Sequence, residues 1–192
     1  MSNDKLDPNK VRGYISAGEI DLLISLAGKV PADGTMVNIG VEYGRSVVCM
    51  HVANETADIV GIDIKLERWQ HGKTLKNVRL IEANSQEYVN EWDGPIDFIF
   101  VDGDHGYNGV TKDTKWADHI VVGGYIAFHD CYNWPPAKPK TIHFRCPGVN
   151  KAVEEWFRKT LSVTVVPPEP PRYGDWEELE PVDSIRIFKR IA

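Results

Sequence analysis

The stretch that decides the fold is Ile96-Asp-Phe-Ile-Phe-Val-Asp102-Gly-Asp104-His105-Gly-Tyr107. Its first six residues are almost all apolar, which predicts a strand, Ile96–Val101, that is buried on both faces as in a parallel sheet. Directly after it come Asp102, Asp104 and His105, and burying such groups together is costly unless a cation or a substrate hydroxyl compensates. This density of titratable groups indicates a functional site; the alternative is a polar turn in which Asp104 caps a helix.

On both sides of this strand the sequence alternates between strand-like and helix-like segments. A helix with Ser16 as N-cap and Glu19 in a capping box precedes the first strand. The other predicted strands are Met36–Ile39, Ile59–Ile64, Val78–Glu82 and Tyr125–Phe128; the helices between them are Ser46–Ala53, Lys73–Lys76, Ser85–Trp92 and Gly109–Ile120, the last ended by Gly123-Gly124. The alternation predicts an α/β, doubly wound fold with a mainly parallel sheet, helices on both faces, and ligands at the carboxyl ends of the strands.

The C-terminal third has a different character. Tyr132–Gly148 is proline-rich and long for a strand–helix connection, which predicts a lid or an acceptor-binding loop. A helix over Val149–Leu161 follows. Two final strands, Val163–Val166 and an antiparallel Ile185–Lys189, are expected on either side of an acidic surface loop, Pro167–Pro181. We expect all 192 residues to form one domain, with a flexible start at residues 1–12.

Composition narrows the class of protein. The net charge of −6 disfavours a nucleic-acid partner, because phosphate binding needs clustered Lys and Arg. Cys49, Cys131 and Cys146 are too few and too widely spaced for a disulfide framework or a zinc knuckle, so we expect reduced thiols. The first ten residues contain no apolar signal region, and no apolar run is long enough to span a membrane. These features together predict a cytoplasmic protein without a membrane partner.

A glycine-containing turn follows the first strand, in Val37-Asn-Ile-Gly40-Val-Glu-Tyr-Gly44-Arg-Ser46. Glycines there allow a sharp turn and a close approach of ligand to backbone, although an ordinary strand–helix turn would have the same composition. Asp63 ends the second strand about 20 residues later, where a carboxylate can accept hydrogen bonds from both hydroxyls of a ribose. The alternative roles for Asp63 are a helix cap and a solvated acid.

The fifth strand ends in Phe128-His129-Asp130-Cys131. Because neighbouring parallel strands end at one edge of the sheet, Asp102 and Asp130 are expected to face one cavity. Two carboxylates together with waters would suit Mg²⁺. The sequence leaves His129 equally open to a structural role and a ligand role.

Together these motifs resemble the class I S-adenosylmethionine-dependent methyltransferases. More narrowly, they resemble the small Rossmann-like group that includes macrocin-type sugar O-methyltransferases and cephalosporin hydroxylase-like proteins. The resemblance extends roughly from Val37 to Phe157. It rests on the Ile-Gly-x-x-x-Gly-x-Ser turn ending at Ser46, the Val-Asp-Gly-Asp-His-x-Tyr stretch ending at Tyr107, and the Gly-Gly-x-x-x-Phe-His-Asp strand ending at Asp130.

The resemblance implies a site for S-adenosylmethionine formed by Asn38, Gly40, Gly44, Ser46, Asp63, Asn84, Ser85 and Asp102. The glycines and Ser46 would surround the methionine part, Asp63 the ribose, and Asn84 and Ser85 the adenine. In metal-dependent relatives, acids that match Asp102 and Asp130 hold Mg²⁺.

The resemblance also implies a catalytic base. The acid that matches Asp104 is the proposed base in those relatives, and His105 is the alternative. The chain departs from the family pattern at two positions. Asn38 replaces an acid that would bind the cofactor's ammonium group, and Cys131 replaces a second metal-binding acid.

The resemblance therefore predicts an S-adenosylmethionine-dependent O-methyltransferase that acts on a small-molecule or sugar hydroxyl. Whether a divalent metal assists the reaction and whether the protein forms a homo-oligomer are left open. A protein that binds the cofactor without transferring its methyl group is the competing interpretation. An NAD-type oxidoreductase is less favoured, because the G-x-G-x-x-G turn is absent.

Overall fold

The computed structural model describes residues 6–69, 75–131, 146–159 and 172–192. In these residues the strands are β1 (Thr35–Ile39), β2 (Asp58–Asp63), β3 (Val78–Glu82), β4 (Ile96–Val101), β5 (Ile120–Phe128), β6 (Arg172–Tyr173), β7 (Trp176–Val182) and β8 (Ile185–Arg190). The α-helices are α1 (Ala17–Ala27), α2 (Arg45–Ala53), α3 (Ser85–Tyr88), α4 (Tyr107–Asp113) and α5 (Pro147–Lys159). Short 3₁₀ segments cover Pro8–Lys10 and Thr114–His119.

All the strands join in one sheet with the order β3-β2-β1-β4-β5-β8-β7-β6. The strands from β1 to β5 run parallel, and β8, β7 and β6 add antiparallel pairs at one end. The predicted α/β, Rossmann-like architecture is therefore confirmed. The strand order reverses direction between β1 and β4, which is where a doubly wound sheet opens its ligand-binding crevice.

The core lies on both faces of the sheet. Along β4, Ile99 and Val101 pack into one apolar layer, whereas Phe98 and Phe100 pack into the other. Helices α1 and α2 cover the layer that contains the two phenylalanines, and α4 and α5 cover the opposite layer. Burial of β4 on both sides explains why its sequence is apolar in nearly every position.

The helix that follows β4 is shorter than predicted. Instead of one helix over Gly109–Ile120, α4 ends at Asp113 and continues as the 3₁₀ segment Thr114–His119. Gly123 and Gly124 lie within β5 and do not end a helix. The pairing of β5 with β4 shifts register there, and Gly123 has a φ of +90°, so the glycines form an irregularity in the strand. The predicted helix Ser85–Trp92 is also too long, since α3 stops at Tyr88.

The C-terminal loop prediction is wrong in its described part. Residues 172–181, expected in the surface loop Pro167–Pro181, form β6 and most of β7. Pro181 is accommodated because the pairing of β7 with β8 shifts register between Leu179 and Val182. At the other end of the chain, the expected flexible start is folded in part, with Pro8 and Val11 buried.

Several predictions lie outside the described residues. These are residues 73–74 of the Lys73–Lys76 helix, the strand Val163–Val166, and residues 132–145 of the predicted lid. None of the three cysteines is in a disulfide. Among the described helices, none combines the length and the apolar character that crossing a bilayer requires.

Candidate active site

A cleft of ≈ 1220 Å³ opens along the carboxyl ends of β1, β2, β4 and β5. Every predicted site residue except Asn38 lines it, namely Gly40, Gly44, Ser46, Asp63, Asn84, Ser85, Asp102, Asp104, His105 and Asp130. The topology brings these residues together because parallel strands end at one edge of the sheet.

The turn between β1 and α2 depends on glycine at two positions. Gly40 and Gly44 have φ values of +84° and +87°, which side chains other than glycine rarely adopt. A Cβ atom on Gly40 would lie 1.9 Å from the carbonyl oxygen of Asp102. The β1 turn and the end of β4 therefore touch backbone to backbone, which leaves the cleft floor free of side chains at that point.

Asp63, at the end of β2, holds this turn in place. Its Oδ2 accepts hydrogen bonds from the backbone N–H groups of Val41 (2.8 Å) and Glu42 (2.9 Å). Its Oδ1 accepts from Lys65 N–H (3.1 Å). Glu42 has a positive φ of 45°, so one of these bonds supports a strained residue. Asp63 thus lies in the cleft as predicted and also fixes the backbone beside it.

Asn38, which was predicted to contact the cofactor, is not among the residues that line the cleft. The residue is fully buried within β1, and its Nδ2 donates to the Gly40 carbonyl oxygen (2.8 Å). Its side-chain oxygen has no hydrogen-bond partner among the described residues. In this structure Asn38 supports the turn from beneath.

The opposite end of the cleft is formed by the turn after β3. Asn84 accepts from Gln86 N–H (3.0 Å) and begins α3, as a helix N-cap does. The Ser85 hydroxyl donates to Asp113 Oδ1 (2.8 Å). Gln86 also lines the cleft, although the sequence analysis did not single it out. Gln86 could have been predicted from the sequence, because it directly follows Asn84 and Ser85.

Asp113 is a buried acid that no prediction included. It is fully buried on α4, and its Oδ2 has no hydrogen-bond partner in the described part of the chain. Burial raises the pKa of Asp113 to about 6, the hydrogen bond from Ser85 opposes this rise, and the charge of Asp104 adds to it. A carboxyl group with a pKa of about 6, close to neutral pH, therefore lies directly behind the α3 turn.

His105 lies between the two carboxylates that the sequence predicted would share a cavity. Its Nε2 is 3.5 Å from Asp102 Oδ1 and 3.3 Å from Asp130 Oδ2. The hydrogen bond with Asp102 and the charges of both carboxylates outweigh partial burial and raise the pKa of His105 above 6.5. The imidazole is about half exposed and faces the cleft, so a hydroxyl group can reach it.

Asp104 has a different environment. Its Oδ1 accepts from Gly106 N–H (2.7 Å), and its Oδ2 lies 3.4 Å from Gln86 Nε2. The contact with Gln86 directs one carboxylate oxygen toward the β3–α3 turn. Of the two candidate bases, the geometry favours His105.

His129 is buried behind the cleft wall and is paired on two sides. Its Nδ1 is 3.0 Å from Asp102 Oδ1, and its Nε2 is 3.4 Å from Glu19 Oε2. Burial alone would lower the pKa of His129, but the two carboxylates outweigh it and raise the pKa far above 6.5. The structural role, one of two that the sequence left open, is the one this geometry supports. The sequence identified Glu19 only as a capping-box residue. Its contact with His129, 110 residues away in the chain, leaves no trace in the local sequence pattern.

Comparison with known proteins agrees with this architecture. Residues 37–131 match the family model described as a methyltransferase domain. The match runs from β1 to the residue after Asp130 and so includes the ends of all five parallel strands. This segment of the chain is similar to a methyltransferase domain, and the sheet around it has the Rossmann-like fold of solved methyltransferases. The family resemblance inferred from the three sequence motifs is therefore confirmed.

The individual proteins that the chain resembles are distant in sequence. An uncharacterised protein of Acanthamoeba polyphaga mimivirus is 27% identical over 141 residues, which are 64% of this chain and 61% of that protein. The chain therefore spans less than two thirds of that relative's length. The O-methyltransferase TomG of Streptomyces achromogenes, solved with SAM, superposes with a TM-score of 0.64 at 15% identity, covering 93% of this chain and 82% of TomG. An SAH-bound methyltransferase of Podospora anserina gives 0.63 at 17% identity, covering 93% and 80%.

The described residues around Asp102 and Asp130 do not form the oxygen-rich site that Mg²⁺ requires. Asp102 and Asp130 do lie on one wall, but Asp102 Oδ1 is already engaged by His129 and His105. Cys131 is buried and its Sγ lies 3.9 Å from the His129 carbonyl oxygen, so the third position of the expected site faces away. Nitrogen and sulfur atoms surround Asp130, whereas Mg²⁺ prefers an octahedron of oxygens. We therefore derive no catalytic step through Mg²⁺.

Proposed function

We propose that this methyltransferase transfers the methyl group of S-adenosylmethionine to a hydroxyl group of a small molecule, with sugar hydroxyls as one candidate class. The observation that carries the proposal is the position of the His105 imidazole, which lines the cleft while its Nε2 lies between Asp102 and Asp130. A group that must remove a hydroxyl proton needs this access and this stabilisation of its protonated form.

The cofactor would lie along the strand ends, with its methionine part over Gly40, Gly44 and Ser46. Asp63 lies where a ribose is expected, and the remaining lone pairs of its carboxylate are available to ribose hydroxyls. Asn84, Ser85 and Gln86 would bound the adenine. Asp102 would lie near the sulfonium end, between the cofactor and the acceptor. Bound S-adenosylmethionine supplies a methyl group on a positively charged sulfur.

The chain's own residues would align the acceptor and take its proton. The bound cofactor would supply the reactive methyl group, so the protein has to align the acceptor oxygen with it and remove the hydroxyl proton. Because Nε2–H of His105 faces the two carboxylates, the ring accepts the hydroxyl proton at its other nitrogen, Nδ1. The carboxylates of Asp102 and Asp130 then stabilise the imidazolium, because opposite charges within about 4 Å favour the charged form.

Substitution of the base tests the proposal. We expect His105→Gln to reduce kcat by ~10²–10⁴, the usual contribution of a general base, without changing the dissociation constant for S-adenosylmethionine. The matched control is Asp104→Asn, which should stay within about tenfold of wild type because Asp104 faces the β3–α3 turn. Sugar, phenol and small-acid acceptors would be screened with labelled cofactor, and binding would be measured by calorimetry. Full turnover in His105→Gln would overturn the assignment of the base.

Calorimetry also separates the competing functions. A protein that binds S-adenosylmethionine but methylates no acceptor would support the non-catalytic alternative. Binding of NAD in place of S-adenosylmethionine would support an oxidoreductase.

Loss of the Asp63 carboxylate should weaken cofactor binding. We expect Asp63→Ala to cost about 1–3 kcal/mol of binding free energy, because ribose hydroxyls would lose an acceptor and the Val41–Glu42 turn would lose its anchor. The matched control is Glu82→Ala at the end of β3. Glu82 also accepts a backbone N–H, from Leu66 (3.0 Å), but does not line the cleft. Equal affinities for Asp63→Ala and wild type would exclude Asp63 from the site.

A further inference from the structure

Three different ligand types converge on one point of the cleft wall. His105 Nε2 lies 3.3 Å from Asp130 Oδ2, and Cys146 Sγ lies 3.7 Å from the same oxygen. The three ligand atoms all lie within 4.8 Å of one another. His105 follows β4, Asp130 follows β5, and Cys146 immediately precedes α5, so three separate segments of the chain meet here.

Backbone packing fixes this meeting point. Gly148, in the first turn of α5, approaches the loop after β4 so closely that a Cβ atom there would lie 2.6 Å from Tyr107 N and 3.0 Å from the His105 carbonyl oxygen. The Tyr107 hydroxyl also donates to Glu155 Oε2, which ties α4 to α5. Cys146 is therefore held against His105 by the fold.

The spacing and the chemistry of these atoms match a borderline-soft metal ion. A tetrahedral Zn²⁺ with bonds of about 2.0–2.3 Å separates neighbouring ligand atoms by roughly 3.3–3.7 Å, which is the separation of the two pairs that share Asp130 Oδ2. One imidazole, one carboxylate and one thiolate form a typical zinc donor set and a poor one for Mg²⁺. Three protein ligands leave a fourth position open toward the cleft.

We propose that His105, Asp130 and Cys146 bind a divalent ion of the zinc class, and that the bound ion blocks methyl transfer. The inhibitory part rests on the proposed function, in which His105 is the base. On binding, Cys146 Sγ and His105 Nε2 each lose their proton to the buffer, and their lone pairs bond to the ion. With Nε2 bound to the ion, the remaining ring proton is on Nδ1, so the imidazole can no longer accept the hydroxyl proton of the acceptor.

His129 does not compete for this ion. Both of its ring nitrogens are engaged, with Asp102 on one side and Glu19 on the other. The alternative grouping of Asp102, His129 and Asp130 therefore offers carboxylates beside a nitrogen that is already paired. The ion is accordingly assigned to the set that contains Cys146.

Cobalt provides a direct test, because Co²⁺ occupies zinc sites and a thiolate ligand gives it a near-ultraviolet charge-transfer band. We expect the purified metal-free protein to bind one equivalent of Co²⁺ with this band, and Zn²⁺ but not Mg²⁺ to displace it. Cys146→Ser and Cys146→Ala should abolish the band and weaken Co²⁺ binding by on the order of tenfold or more. The matched control is Cys131→Ser, which should keep the band because Cys131 is buried and packs against the His129 carbonyl oxygen.

Two outcomes overturn the metal site: no stoichiometric Co²⁺ binding, or a band that persists in both Cys146 variants. With an acceptor in hand, Zn²⁺ should inhibit wild-type turnover at least tenfold, a chelator should restore it, and activation by Zn²⁺ would overturn the blocking role. Because Co²⁺ binding needs no acceptor, the band can appear in a protein that methylates nothing. A Co²⁺ band without methyl transfer supports the metal site and overturns the proposed function. Methyl transfer without Co²⁺ binding supports the proposed function and overturns the metal site.

Discussion

Asp113 shows how one buried side chain can set the pH dependence of stability. Its native pKa is about 6, raised mainly by burial, against 3.8 for an ordinary aspartate. As pH rises from about 4 to 6, the unfolded state loses this proton before the native state does. Stability should therefore fall over that range, by about 3 kcal/mol in total, and stay level above it.

Asp113→Asn should remove this penalty. The amide oxygen can still accept from the Ser85 hydroxyl, but no charge forms in the buried site. We expect the variant to be more stable than wild type by about 1–3 kcal/mol at pH 7 and to lose the slope between pH 4 and 6. Urea unfolding across that range checks this, with the exposed Asp118→Asn as control. An Asn variant that is less stable than wild type at pH 7 would contradict the prediction.

At the same scale, the sequence identified the residues that follow strand ends and missed those that reach the site from elsewhere. Asp63, His105 and Asp130 each lie at or just after the end of an apolar strand. The apolar pattern predicts the strand, and the end of the strand predicts the site residue. Glu19 and Cys146 do not follow strands. Each lies near the start of a helix, 110 residues from His129 and 16 residues from Asp130 respectively. Their roles depend on tertiary contacts with His129 and Asp130, which no local pattern records.

At the scale of elements, the parallel strands were predictable and the C-terminal hairpins were not. Strands such as β4 are buried on both faces, and that burial requires an apolar sequence. The sequence of β7, Trp-Glu-Glu-Leu-Glu-Pro-Val, is acidic and contains proline, which is typical of a loop. Glu178 is tolerated in this strand because it is paired with Arg186 on β8, a partner that only the folded sheet provides.

Arg186 joins three elements, so its loss should affect all of them. The side chain is buried on β8, donates to both carboxylate oxygens of Glu178 on β7 (2.6 and 3.0 Å) and to Glu154 on α5 (2.9 Å). We expect Arg186→Met to lower the free energy of unfolding by about 3–5 kcal/mol, because the mostly buried Glu178 carboxylate would lose its charged partner.

The double variant Arg186→Met/Glu178→Met should recover much of that loss, since two apolar side chains replace the buried ion pair. Arg158→Ala provides the control, because its bond to Glu154 is largely exposed and should contribute less than about 1 kcal/mol. Chemical denaturation of the three variants forms the test. A single Arg186→Met variant as stable as wild type would show that the pair does not hold these elements together.

At the scale of the whole molecule, Glu19 connects the two ends of the chain to the active site. Its Oε2 accepts from Ser16 N–H (2.7 Å), and its Oε1 accepts from the backbone N–H (3.1 Å) and hydroxyl of Ser184, between β7 and β8. The contact with His129 Nε2 adds the end of β5. Through His129 and Asp102, the carboxylate that caps the first helix is connected to the proposed base, His105.

Glu19→Gln should therefore destabilise the entire domain. Burial alone would raise the pKa of Glu19, but the bonds from His129, Ser184 and Ser16 outweigh it and lower the pKa to about 2. A lowered carboxyl pKa contributes stability that is present above pH 4.5 and is lost as pH falls toward 2. At pH 7 this contribution is about 3 kcal/mol, which the neutral amide cannot supply.

Urea unfolding at pH 7 should show the loss in Glu19→Gln, and the variant's stability should depend less steeply on pH between 4.5 and 2. Asp21→Asn, an exposed acid on the same helix, should remain within about 0.5 kcal/mol of wild type. A single unfolding transition that shifts as a whole would mean that the first helix, the C-terminal hairpin and the cleft unfold together. Separate transitions in the variant would show that Glu19 stabilises only its own helix.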